Sequence, residues 1–289
     1  MNVTANREHG DTATDEGIVV MTGATSGIGA VAGRRIASTT RTRLLAGARG
    51  EPPDYGECIN LDLANLDSVR AFAGSVEERR MGRPIDVLIL NAAVGANPSN
   101  SVTAQGYEVT FAVNHLAHYL LLRLLMPALA PDARVVITTS NTHDPRTSPV
   151  SPRHADAERL AHPQTDPQYE RPSRVSAFRA YASSKLCNVL TARALATSPL
   201  ARDRGITVVA YNPGFTPGTG LGRNLPMPQR VMMQVIPWII GRFRPINQAN
   251  IGKICIAWSP TKCGTRKSPC SRLHPVPGIP GPPSTAPTV

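Results

Sequence analysis

The chain has 289 residues, a formal net charge of +11 and 41% hydrophobic residues, enough to bury a large core in one α/β domain or two small ones. No basic-then-apolar leader follows Met1 and no apolar run approaches about 18 residues, so neither secretion nor membrane spanning is expected. Five cysteines at irregular spacing, an odd number, predict free thiols, a reducing compartment and a cytoplasmic protein. The charge is unevenly placed: from Arg204 onward there are ten Lys/Arg and no Asp or Glu, so the first 203 residues are near neutral. Aromatic side chains that could stack on bases are scarce there, with only Trp238, Phe243 and Trp258 after Phe215. No nucleic-acid partner is expected.

In chain order, a polar leader over residues 1–16 is expected to be disordered. Residues 17–21 read as a short buried strand, which runs into Thr22-Gly23-Ala24-Thr25-Ser26-Gly27-Ile28-Gly29. A helix follows, with apolar positions Ile28, Val31, Ala32 and Ile36 at a 3.6-residue period. Strand, glycine turn and helix form the context of a dinucleotide-binding fingerprint. Gly23 permits the tight turn, Gly27 lets the backbone approach a pyrophosphate, and Gly29 lets helix and strand pack closely. The helix N-terminus offers free N–H groups to phosphate.

A second strand, 43–48, ends at Arg49. In a doubly wound sheet that strand end lies beside the adenosine ribose, where an acid would hold the free hydroxyl of NAD. A guanidinium suits a 2′-phosphate instead, so NADP is favoured although Glu51 is close. A third strand, 58–61, leads to Asp62 and Leu63, and the Asp62 carboxylate is placed either to accept from the adenine amino group or to cap the next helix. Residues 68–80 read as an amphipathic helix and 85–90 as an apolar fourth strand ending in Asn91-Ala92-Ala93. Small residues there leave room for a ligand at the carboxyl edge of the sheet.

Residues 104–127 read as a helix so apolar over 116–126 that both faces are expected to be covered, with Asn114 and His115 at its head. A fifth strand, 135–140, ends in Ser140. Residues 141–176 form a polar surface excursion of the kind that often serves as a substrate lid. A helix over 179–196 carries Tyr181 and Lys185, one turn apart on one face. An ammonium beside a phenol favours the phenolate, so Lys185 is expected to lower the Tyr181 pKa and make it a general acid/base. A packed ring beside a solvated amine is the plainer reading of the same spacing. A sixth strand, 206–211, ends in Asn212-Pro213-Gly214.

Taken together, Thr22-Gly23-x-x-x-Gly27-Ile28-Gly29, Asn91-Ala92-Ala93, Asn114, Ser140, Tyr181-x-x-x-Lys185 and Pro213-Gly214 resemble the short-chain dehydrogenases/reductases over residues 17–225. The segments 86–94, 114–121 and 184–188 make the chain most similar to the branch holding protochlorophyllide reductases and retinol dehydrogenases. The resemblance implies a Rossmann-type doubly wound α/β fold in three layers. It implies that Tyr181 is the proton donor, that Lys185 holds the nicotinamide ribose, that Ser140 bonds the substrate oxygen, and that Asn114 fixes a helix kink and a relay water. Cys187 matches a cysteine of the protochlorophyllide reductase motif, with a small buried hydrophobe as the alternative. Ser140 departs from those reductases, where a Gly lies in this strand-end segment, and points to ordinary carbonyl or alcohol chemistry.

The C-terminus departs most. The segment 213–245 is read as the substrate side, but no seventh strand follows. Residues 259–289 are proline-rich and basic, without a carboxylate or a hydrophobic period, and are expected to be disordered. No zinc-ligand spacing is found. The reading is a single domain over 17–258, an NADP-dependent oxidoreductase acting on a small-molecule carbonyl or alcohol as a monomer or homodimer. The alternative is an NADP-binding protein without turnover, its substrate pocket left incomplete by the altered C-terminus.

Overall fold

The computed structural model describes residues 16–96 and 101–214. The leader up to residue 15, the segment beyond 214, the expected seventh-strand gap and the tail lie outside those residues. The described elements run β1 (Gly17–Thr22), α1 (Gly27–Ala37), β2 (Thr42–Ala48), β3 (Glu57–Asn60), α2 (Leu66–Arg80) and β4 (Ile85–Leu90). Then come α3 (Val109–Phe111), a π turn (Ala112–Leu116), α4 (Ala117–Leu125), β5 (Leu129–Thr138), α5 (Ala157–Ala161), α6 (Arg174–Thr197), α7 (Pro199–Asp203) and β6 (Thr207–Tyr211).

The six strands form one sheet in the order β3-β2-β1-β4-β5-β6, and every pairing is parallel. Parallel strands are covered on both faces, so they read as continuous apolar runs. β1 shows how: Ile18 and Val20 enter a core shared with Phe72 of α2 and Leu121 of α4, while Val19 and Met21 pack with Ala32 and Ile36 of α1. Helices thus lie on both faces, the three-layer doubly wound arrangement. The strand order reverses between β1 and β4, and ligands of such sheets bind at that switch point.

Several boundaries differ from the sequence reading for local reasons. The helix expected from 104 starts at Val109, because Gly106 adopts a φ of 85° and Glu108 caps the new helix through both carboxylate oxygens. Its outer face is not fully covered, since Tyr119 and Leu124 are 43% and 37% exposed. The helical segment Val109–Ala128 is long and apolar enough by composition to cross a membrane, and most of it is buried as a core helix. α6 begins at Arg174, five residues before the expected start, through a capping box between Ser173 and Ser176. The preceding excursion contains α5 and an ion-paired network: Arg153 and Arg179 both bind Glu170 at 2.8 Å, and Arg159 binds Asp166 at 2.6 Å.

Candidate active site

The glycine turn is built as the sequence requires. Gly23 has a φ of 70°, and a Cβ on it would lie 2.7 Å from the Ala92 Cα. A Cβ on Gly29 would lie 1.8 Å from the Gly23 carbonyl oxygen, so only glycine lets α1 pack against this turn. Thr25 and Ser26 are exposed; Ser26 is the N-cap of α1 but makes no side-chain cap, and no acid occupies the first turn. Uncapped N–H groups without a competing carboxylate suit a phosphate, so these residues fit a dinucleotide.

Thr22 ties this turn to its neighbours. Its hydroxyl accepts from the backbone N–H groups of Asn91 at 3.0 Å and Ala92 at 3.1 Å. The hydroxyl proton is therefore left for His118 Nε2 at 2.9 Å, and His118 Nδ1 donates to the Asn114 carbonyl at 3.2 Å. Burial holds the His118 pKa down to about 4, so the ring stays neutral in that tautomer. Asn91 is equally fixed: Nδ2 donates to the Gly23 carbonyl at 3.2 Å, and Oδ1 accepts from Thr138 Oγ1 at 3.2 Å. Ala92, Ala93 and Pro213 are half-buried and Gly214 is exposed.

At the ends of β2 and β3, Arg49 Nη1 lies 3.9 Å from Asp62 Oδ1, with 74% of the arginine side chain exposed. Asp62 does not cap α2. Asn65 does, accepting from Asp67 N at 2.9 Å, while Asp62 Oδ1 accepts from Ala64 N at 3.0 Å. The Leu63 side chain joins the core. Ile28 packs partly buried against the α1 side of the core.

The catalytic candidates converge at the carboxyl end of β5. Ser140 follows that strand, accepts from Thr142 N at 3.3 Å, and bonds the Tyr181 hydroxyl. Asn114 sits in the π turn with 0% exposure, and its side chain pairs with both backbone groups of Val94, at 2.8 and 3.1 Å, and with Ser184 Oγ at 3.2 Å. Asn114 thus lies in a π turn that interrupts the regular α-helical pattern between Phe111 and Ala117. Lys185 is 1% exposed, and burial lowers its pKa to about 8.

One expectation is corrected here. Lys185 does not lower the Tyr181 pKa in this structure; burial raises it, and the Ser140 hydrogen bond opposes that rise. The reason is geometric. Lys185 Nζ donates to the Thr138 carbonyl at 3.1 Å and lies 5.7 Å from the centre of the Tyr181 ring. Cys187 packs with Phe111 and Ala161, and burial pushes its thiol up to about 11, so it behaves as a buried hydrophobe. A cavity beneath the excursion is lined by Arg153, Arg159, Asp166 and Arg179, and by neither Tyr181 nor Lys185.

Four residues of the site were not singled out as functional by sequence. Thr138, His118, His115 and Asn188 come from β5, the helical segment 112–125 and α6. The available signal was polar residues in apolar or buried stretches: two histidines three apart, and Asn188 one turn beyond Lys185.

Residues 17–149 match the family model of the short chain dehydrogenases. The chain is 34% identical over 234 residues to protochlorophyllide reductase A of Arabidopsis thaliana, spanning 72% of this chain but 57% of that protein. It is 34% identical over 232 residues to protochlorophyllide reductase of Avena sativa, covering 71% of this chain and 73% of that protein. Among solved structures, an uncharacterized protein from Mycobacterium Paratuberculosis is 32% identical with a TM-score of 0.55, covering 71% of this chain and 72% of that one. The chain spans about three-fifths of the length of the first chloroplastic relatives it matches.

Proposed function

Because the chain belongs to the short-chain dehydrogenase/reductase family, in the branch of the protochlorophyllide reductases, we propose that it is an NADP-dependent oxidoreductase that reduces a carbonyl, or oxidises an alcohol, with Tyr181 as the proton donor or acceptor. The observation that carries this reading is the convergence of Ser140, Tyr181 and Lys185 at the end of β5, beside the glycine turn at the switch point. A nicotinamide, when bound, supplies the hydride. The turn Thr22–Gly29 would hold its phosphates, Asn91, Ala92 and Ala93 would line the edge, and Arg49 would select a 2′-phosphate. Lys185 would hold the nicotinamide ribose, and Asp62 would stay near the adenosine end.

The raised pKa keeps the Tyr181 phenol protonated at neutral pH, the form a donor to a carbonyl oxygen needs. Ser140 would orient that oxygen through its hydroxyl. On this reading the protein positions the reactants and moves one proton. A second reading, nucleotide binding without turnover, draws on the C-terminal composition, which lacks any acid after Asp203.

The test is an NADPH and NADH titration of the full chain, followed by turnover over aldehydes, ketones and retinoids. Tyr181→Phe should lower turnover about 10²-fold or more with NADPH affinity nearly unchanged. Wild-type turnover in the Phe variant would remove Tyr181 from this role, and NADPH binding with no turnover on any substrate would establish the second reading.

A further inference from the structure

Lys185, Asn188 and Asn114 are deeply buried polar residues, at 1%, 3% and 0% exposure. Their hydrogen bonds close on two backbone carbonyls. The Thr138 oxygen accepts from Lys185 Nζ at 3.1 Å and from Asn188 Nδ2 at 3.3 Å. The Asn114 oxygen accepts from Asn188 Nδ2 at 3.1 Å and from His118 Nδ1 at 3.2 Å. Each of these two carbonyl oxygens therefore accepts from two side chains of this chain.

Asn188 has no rotational choice in this arrangement. Both of its N–H bonds face groups that can only accept, so its Oδ1 must face His115, whose Nδ1 is 3.0 Å away and must carry the proton. His115 is held in turn between the rings of Phe111 and Tyr119, with centroids at 5.2 and 6.1 Å. The aromatic pair orients the imidazole, the imidazole orients the carboxamide, and the carboxamide spans the two carbonyls beside the ammonium.

We propose that Asn188, oriented by His115, is a positioning residue for Lys185: its carboxamide bridges the Thr138 and Asn114 carbonyls beside the ammonium and seals that side of the ammonium from solvent. The role assigned to Lys185 rests on the proposed function, while the seal itself rests on geometry alone. Among the described residues, the titratable groups around Lys185 are Tyr181 on its own helix and His115 and His118 from the helix across it; β5 and the residues just after it present the uncharged Thr138 and Ser140. Burial is the cause of the low Lys185 pKa, which agrees with a dry ammonium.

The experiment is side-chain NMR on the full chain without cofactor. Lys185 is one of four lysines, and the other three lie beyond residue 252, so its Cε signal is assigned by Lys185→Arg. In the wild type, ring-nitrogen shifts should show neutral His115 protonated on Nδ1. Asn188→Ala should admit water, raise the Lys185 titration midpoint by about one pH unit or more, and release His115 to a tautomer mixture. Asn188→Ser, a smaller perturbation of the fold, and His115→Phe, which keeps the ring stacking, should move the midpoint in the same direction. Neutral His115 protonated on Nε2 in the wild type, or a Lys185 midpoint that moves in none of the three variants, would overturn the proposal. Where a substrate is found, the pH profile of kcat should move with the lysine midpoint while the KM for NADPH changes less than about twofold. Neither NMR readout needs turnover, so an inactive protein would count against the proposed function and not against the seal.

Discussion

Lys185→Met should make the protein more stable and useless as a catalyst. The lysine is 1% exposed, and burial takes its pKa from the ordinary 10.5 to about 8. At about 1.4 kcal/mol per pH unit, holding the charged form in the fold costs roughly 3 kcal/mol. Methionine has a similar unbranched shape and carries no charge. The substitution removes one hydrogen bond to the Thr138 carbonyl, worth about 1 kcal/mol, but that oxygen keeps Asn188 as a donor. The net gain expected at pH 7 is about 2 kcal/mol. The sign with pH follows from a depressed folded-state pKa. Below about pH 8 both states are protonated and the wild type carries the full penalty. Between about 8 and 10.5 the unfolded chain binds the extra proton, so wild-type stability rises with pH while the variant lacks that rise. Urea unfolding of both proteins from pH 7 to pH 10, by fluorescence and circular dichroism together, measures the gap. A variant less stable than wild type at pH 7, or a gap that stays constant to pH 10, would refute the claim that a desolvated ammonium sits in this core.

Other outcomes follow from the same geometry. Arg49→Ala should cut the preference for NADPH over NADH by about tenfold, the low end for a charge-assisted phosphate contact because the side chain is 74% exposed; parallel cofactor titrations check it, and an unchanged ratio would remove Arg49 from cofactor selection. Gly29→Ala places a Cβ 1.8 Å from the Gly23 carbonyl, so it should cost about 1–3 kcal/mol and abolish nucleotide binding, read by thermal melting and titration. Cys187, its thiol pushed up to about 11, should resist alkylation at pH 7.5 until the protein unfolds, and mass spectrometry after a timed iodoacetamide pulse would show otherwise if it labels early.

Much of the site was legible because it is local in the chain. The strand, glycine turn and helix of 17–37 announce themselves through hydrophobic period and glycine position, and in the structure Gly23 takes a positive φ in the turn and Gly29 lies where only glycine lets helix and turn pack. The Tyr181 and Lys185 spacing likewise survives intact on α6. Helix starts were less legible, since Glu108 and Ser173 cap through hydrogen bonds that compete with neighbouring turns. Asp62 illustrates the same competition: Asn65 takes the cap that its position suggested.

The amino-acid sequence by itself carried the alternation of strands and helices and the residues at the edge of the sheet, because periodicity, glycine turns and helical spacing are properties of adjacent residues, and its motifs together carried the resemblance to the family and its doubly wound fold. Only the tertiary structure decided where the charges go. Spacing alone directs the Lys185 ammonium at Tyr181, yet in the fold it turns to the Thr138 carbonyl 47 positions away in the chain. Thr22 and His118 meet across 96 positions, and His115 and Asn188 across 73, to lock tautomers that no local pattern encodes. A hydrogen bond and a desolvation cost depend on which distant groups share a dry volume, and that volume exists only once the sheet and its helices have packed.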